Sequence, residues 1–186
     1  MKFLTILFML LTVLYSYSQK SKLKLGQNYQ GGKIIYILKP NHIDYDPKVP
    51  HGLIIAPNET GFTNPVIWGC SGIPINGANR ESIGDGEQNT IDILYSCNNN
   101  MSAAKLCAES ELNGFNNWYL PSIDELSLID EYINTIGNNI EFLDANYWSS
   151  TKCCDNNSAY AFSFRMRSSF QTNREDECLV RPIRKF

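Results

Sequence analysis

The run from Asn117 to Leu126 constrains the fold of this chain more than any other. Trp118 and Leu120 are apolar anchors, and Pro121 ends the strand that leads to them. Ser122 then opens a helix with Glu125 three residues on, the S-x-x-E spacing in which side chain and backbone satisfy each other's donors. Leu126, Ile129 and Ile133, with Leu128 and Tyr132 beside them, continue at helical spacing until Gly137. A buried corner feeding a capped helix over 122–136 is expected. Asp124 and Glu125 are adjacent carboxylates, but in the first turn they serve the cap and the helix dipole. Acid–base work by paired carboxylates needs the two to face each other across a gap.

The first residues read as an export signal. Lys2 precedes an apolar run, Phe3 to Leu14, and Ser16-Tyr17-Ser18 has the small-x-small form of a cleavage site, so the cut is expected before Gln19. A run of twelve residues, interrupted by Thr5 and Thr12, is too short to span a bilayer comfortably, and nothing later approaches eighteen consecutive apolar residues. Removing 18 of the 186 residues leaves 168, one domain's worth, and removes one charge, so 15 basic face 19 acidic groups. That mild acidity argues against nucleic acid as a partner, which needs a basic face. The reading is a secreted or surface-displayed chain with no membrane span after cleavage; its oligomeric state stays open.

All six cysteines, Cys70, Cys97, Cys107, Cys153, Cys154 and Cys178, lie in the exported part, where disulfides form before metal sites do. Cys97 and Cys107 flank the joint between two short helical stretches and are the expected local pair. Cys70 and Cys178 would then take Cys153 and Cys154, in one order or the other. Adjacent cysteines seldom bond each other, because the peptide between them is strained. No C-x-x-C is present for zinc.

Residues 19–30 form a polar lead-in, followed by strands over Lys33–Leu38 and Gly52–Ala56. From Asn58 to Asn89 the chain is rich in Gly, Asn and Pro; an irregular stretch of that length in a domain carries function or is stapled down, and Cys70 offers the staple. Asn89 or Thr90 caps a short helix, and Ser102 caps another from Ala103 to Leu112. Three strand-like pieces close the chain: Tyr147–Thr151, Ala159–Arg165 and Leu179–Phe186. The expectation is an α+β domain over 31–186 with two to three helices and a long irregular loop region.

Candidate ligand-binding residues are Trp68, whose indole can stack on a sugar, and the basic group Arg165, Arg167 and Arg174. On a strand, Arg165 and Arg167 alternate onto one side and suit a polyanionic glycan. The competing reading is a solvated face balanced by Glu175, Asp176 and Glu177. Asp85, Glu87 and Asn89 place oxygen donors at alternate positions, as a calcium site does, without the EF-hand glycine and distant glutamate. His42, Asp44 and Asp46, with His51 beyond, are a second candidate cation cluster, set in a proline-bounded loop. No cofactor is expected beyond a possible calcium ion. Trp118 and Trp148 read as core, and no nucleophile elbow or phosphate loop is present.

Seven motifs then fall in one order. They are Gly31-Gly32-Lys-Ile-Ile-Tyr36, His51-Gly-Leu-Ile-Ile-Ala56, Ile83-Gly-Asp-Gly-Glu-Gln-Asn-Thr90 and Ala103-Ala-Lys-Leu-Cys107. Trp118-Tyr-Leu-Pro-Ser122 with Asp124-Glu-Leu126, Tyr147-Trp-Ser-Ser-Thr151 and Val180-Arg-Pro-Ile-Arg184 complete the set. Together the chain resembles the Lcl C-terminal domain family, named for the end domain of a bacterial collagen-like adhesin. The resemblance implies a C-type-lectin-like fold, related in architecture to formylglycine-generating enzymes. It pairs first and last strands, setting Lys33–Leu38 beside Leu179–Phe186. It points to an exported, non-catalytic module that binds a glycan or a protein surface. The alternatives are a structural domain of an envelope assembly and an enzyme, which would need free reactive cysteines. Asn117 stands where the family usually has Asp, and Phe164-Arg-Met-Arg-Ser168 replaces a glycine-bearing strand end.

Overall fold

Gly52–Ile55 is buried at every position, and its neighbours account for that. In the computed structural model, which describes residues 22–42, 45–57, 62–97, 102–137, 140 and 142–186, this strand is the third of a four-stranded antiparallel sheet. The strands are β1 (Asn28–Tyr29), β2 (Gly32–Ile37), β3 (Gly52–Ile55), β4 (Val66–Ile67), β5 (Asn146–Lys152), β6 (Ser158–Ser163), β7 (Ser168–Asn173), β8 (Glu177–Cys178) and β9 (Ile183–Lys185). The helices are α1 (Gly86–Ser96), α2 (Ala103–Ala108) and α3 (Ile123–Ile136). One sheet has the order β1-β2-β3-β9, a second joins β4 to β8, and a third runs β5-β6-β7, all antiparallel. The expected signal segment, 1–18, lies outside the described residues. No helix among the described residues is long and apolar enough to cross a membrane.

The four-stranded sheet is covered on both faces, which is why β3 lacks polar alternation. Ile35, Leu53, Ile55 and Ile183 face α3 through Leu126, Ile129 and Tyr132. The alternate residues Ile34, Ile54 and Ala56 pack on Trp118, with Tyr29, Phe115 and Phe186 closing the edge. A third cluster, around Trp68, Ile93, Leu120 and Trp148, fills the space under the long irregular region.

The helix expected over 122–136 is present with its cap. Ser122 Oγ accepts from the Glu125 amide at 3.2 Å, Glu125 Oε2 accepts from the Ser122 amide at 2.8 Å, and Gly137 ends the helix with φ +94°. Ser102 caps α2 as expected, although that helix stops at Ala108. The first helix begins earlier than expected, at Gly86 after Asp85, because the Asn89 side chain turns inward instead of capping.

Four expectations need correction. The last strand, β9, pairs with β3 and not with β2, since the central all-apolar strand takes both partners. The strand expected to reach Arg165 stops at Ser163; Phe164–Arg167 is a turn, with Arg167 at φ +54°, leading into the unforeseen β7. Cys97 bonds Cys70, with Cα atoms 5.9 Å apart, and not Cys107. Cys107 sits on the inward face of α2 with Ala103 and Ala104, whereas Cys97 ends α1 beside the Cys70 loop. Cys153, Cys154 and Cys178 also stand outside that disulfide, so Cys70 and Cys178 do not bridge to the adjacent pair.

Candidate functional site

The motif Trp118-Tyr-Leu-Pro-Ser122 and its neighbours build a buried polar seam. Glu125 is fully buried; its Oε1 accepts from the Gly84 amide at 2.9 Å and the Tyr119 hydroxyl at 3.1 Å, besides the Ser122 bond to Oε2. Ser122 Oγ donates to the Ser82 carbonyl at 2.9 Å. Thr151 Oγ1 donates to the Arg80 carbonyl at 3.0 Å and accepts from the Ile123 amide at 3.1 Å. Asn89 Nδ2 donates to the same Arg80 carbonyl at 2.7 Å, and Thr90 Oγ1 accepts from the Leu120 amide at 3.1 Å. The loop 80–86 is thereby held by α1, α3 and β5. Three donors favour the Glu125 carboxylate, yet burial outweighs them and pushes its pKa up to about 7 from an ordinary 4.5.

That loop presents Ile83 and Gly84 to a cleft of about 330 Å³ walled by Tyr36, Leu53, Lys185 and Phe186. Both histidines of the chain, His42 and His51, line it. His51 Nδ1 lies 3.0 Å from the Phe186 carbonyl, which can only accept, so Nδ1 carries the proton there and Nε2 of the neutral ring is an acceptor. Lys185 pairs with Glu87 at 3.0 Å. A second hollow of about 830 Å³, between Tyr29, Tyr45, Val49 and Pro50, shares Leu38, His51 and Phe186 with the first. Each hollow taken singly falls in the range of small-ligand sites, about 300–1,000 Å³.

The sequence-predicted binding residues are distributed differently. Trp68 is fully buried, donates from Nε1 to the Ser149 carbonyl at 2.8 Å and lies under the Arg174 guanidinium, 4.4 Å from the ring centre, so no face is open to a sugar. Arg174 is itself fully buried, donating to the carbonyls of Cys70, Ile73, Asp155 and Ser158. It clamps loops. Arg165 and Arg167 sit in the β6–β7 turn and pair separately, with Asp144 at 3.1 Å and Asp130 at 3.0 Å, so no arginine face forms. Trp118 and Trp148 are core, and Pro121, just before the Ser122 cap of α3, is buried.

The candidate calcium donors do not converge either. Asp85 Oδ2 accepts from the Ser82 amide at 3.1 Å, Glu87 holds Lys185, and Asn89 is spent on Arg80. No group of three His, Cys, Asp or Glu side chains among the described residues is placed to hold a metal ion. In the other cluster Asp44 lies outside the described residues, and Asp46 Oδ1 accepts from the Lys48 amide at 2.7 Å. The cleft is not legible in the sequence because its walls come from three separated segments; that His42 follows β2 and His51 directly precedes β3 was the available signal.

Residues 67–184 match the Lcl C-terminal domain. Comparison with curated proteins gives no match. Among solved structures the chain is similar to a fimbrial protein from Bacteroides ovatus, at 13% identity and a TM-score of 0.56, over 87% of this chain and 48% of that one. The likeness is one of fold, and this chain spans about half the length of that protein.

Proposed function

This chain belongs to the Lcl C-terminal domain family, and on that premise we propose that it is an exported, non-catalytic binding module of the cell surface whose ligand is a glycan. The signal-like sequence of residues 1–18 and the Cys70–Cys97 disulfide support export into an oxidising compartment. The fold shared with a fimbrial protein supports a role in surface attachment. The finer fold reading, C-type-lectin-like, rests on the same premise, and the presence of β1, β2 and β9 in one sheet is in keeping with it.

The observation that carries the binding reading is the cleft lined by Tyr36, His42, His51, Lys185 and Phe186, where aromatic and polar side chains line one hollow. The buried acid and two of the four cysteines outside the disulfide, Cys107 and Cys178, support a non-catalytic reading. Glu125 is sealed behind Gly84, and burial pushes the Cys178 thiol up to about 12 and holds the Cys107 thiol far above its ordinary value. A protein ligand is the second reading, favoured by Ile91 and Tyr95, one turn apart on α1 and 52% and 93% exposed.

The test is binding of the oxidised chain 19–186 to a broad glycan array, with calcium and with chelator. Saturable signal unchanged by chelator is expected, because Asp85, Glu87 and Asn89 are committed to separate partners. Signal lost on chelation would instead assign a calcium-dependent lectin. A blank array would move the assignment to the protein-binding reading.

A further inference from the structure

The β5–β6 turn carries the second sulfur site of the molecule. Cys153 and Cys154 follow β5 directly, with their sulfurs 3.2 Å apart, Cys153 buried and Cys154 exposed. Adjacent cysteines rarely reach this approach, because their side chains ordinarily diverge. Closure to a bond of about 2.05 Å requires a shift of roughly 1 Å.

From this contact we infer that Cys153 and Cys154 form a vicinal disulfide, a thiol-responsive latch on the turn that packs against the Cys70 loop. The turn is docked by backbone bonds: the Gly72 amide donates to the Asn156 carbonyl at 3.0 Å and the Arg174 amide to the Asn157 carbonyl at 2.7 Å. Arg174 also binds the carbonyls of Asp155, Cys70 and Ile73, tying the turn to the loop held by the Cys70–Cys97 disulfide. Closing the eight-membered ring restricts Cys153 and Cys154, the residues that lead directly into the carbonyls of Asp155, Asn156 and Asn157 that make those bonds.

The chemistry requires a disulfide donor, such as an oxidised thiol–disulfide oxidoreductase of the exported compartment. The exposed Cys154 thiolate attacks one donor sulfur, forming a mixed disulfide and releasing the other as thiolate. The Cys153 thiolate, already in contact, then attacks Cys154 Sγ, forming the vicinal bond and expelling the second donor sulfur. The two cysteines lose two protons and two electrons, and the donor leaves as two thiols.

Trypsin cuts after Lys152 and Arg165, so both cysteines fall in one peptide, 153–165. The experiment alkylates the unreduced, unfolded chain before digestion and mass spectrometry. The expected product is that peptide unalkylated and lighter than its dithiol form by two hydrogens. Alkylation of both cysteines, or linkage of the peptide to Cys107, to Cys178 or to a second copy of the chain, would overturn the inference. A companion measurement is amide hydrogen exchange of native protein before and after mild reduction that spares Cys70–Cys97. Faster exchange at Gly72 and Arg174 is expected in wild type and not in the Cys153→Ser, Cys154→Ser variant; equal acceleration in both would refute the latch.

Discussion

The buried Glu125 makes the stability of this protein depend on pH in a direction opposite to that of an ordinary paired carboxylate. With a folded pKa of about 7 against an ordinary 4.5, the folded state holds a proton that the unfolded chain has released between those values. Stability therefore falls as pH rises from about 4.5 to about 7 and is constant, for this group, beyond that window. A difference of about 2.5 units at about 1.4 kcal/mol per unit gives a loss of roughly 3.5 kcal/mol, a large part of a domain's stability. The perturbation is Glu125→Gln, which does not titrate. Its amide can still accept from Gly84 and Tyr119, but its NH₂ faces the Ser122 amide and costs about 1–3 kcal/mol at all pH values. Urea unfolding of wild type and variant, disulfide intact, from pH 4 to 8 separates the two effects. The wild-type curve is expected to descend relative to the variant's through the window. Parallel curves, or a wild-type curve rising relative to the variant, would mean that the three donors outweigh burial and that the reasoning is wrong.

Arg174→Ala should destabilise by roughly 3 kcal/mol, since it strips a buried guanidinium from four carbonyls, while Arg165→Ala and Arg167→Ala should each change stability by about 0.5 kcal/mol; thermal melts decide. Gly86→Ala should cost about 1–3 kcal/mol, because a Cβ there would meet the Glu125 carboxylate and lie 2.7 Å from the Ser122 amide, and denaturant midpoints will read it. Replacing Cys70 and Cys97 by Ser together opens a crosslink of 27-residue separation, for an expected loss of about 3.5 kcal/mol on the chain-entropy estimate, measured as a shift in urea midpoint.

Local signals in the sequence decide the fold where one short segment suffices. Ser122, Glu125 and Gly137 bound α3 through groups a few residues apart, and Ser102 caps α2 for the same reason. The family too was legible, because its motifs are short and ordered. What failed were relations between distant segments. Cys97 chose Cys70 over a nearer cysteine because helix faces, not sequence spacing, decide which sulfurs meet. β7, Ser168–Asn173, has no apolar alternation to betray it, being a largely exposed edge strand fixed by register with β6. Trp68 and Arg174 looked like surface ligands because each is polar-tipped or charged, yet they stack on each other in the interior, a pairing across separated loops. The cleft was invisible for the same reason: Tyr36, His51, Ile83 and Phe186 meet only once the sheet and the 80–86 loop are assembled.

The most direct test of the binding account is to map a bound glycan onto the chain by NMR chemical-shift perturbation, using the tightest ligand from the array. Saturable shifts are expected at Gly52, Leu53, Ile83, Gly84 and Lys185, around the cleft, with the Arg165–Arg167 turn unmoved. Shifts confined to that turn, or to α1 around Tyr95, would contradict it.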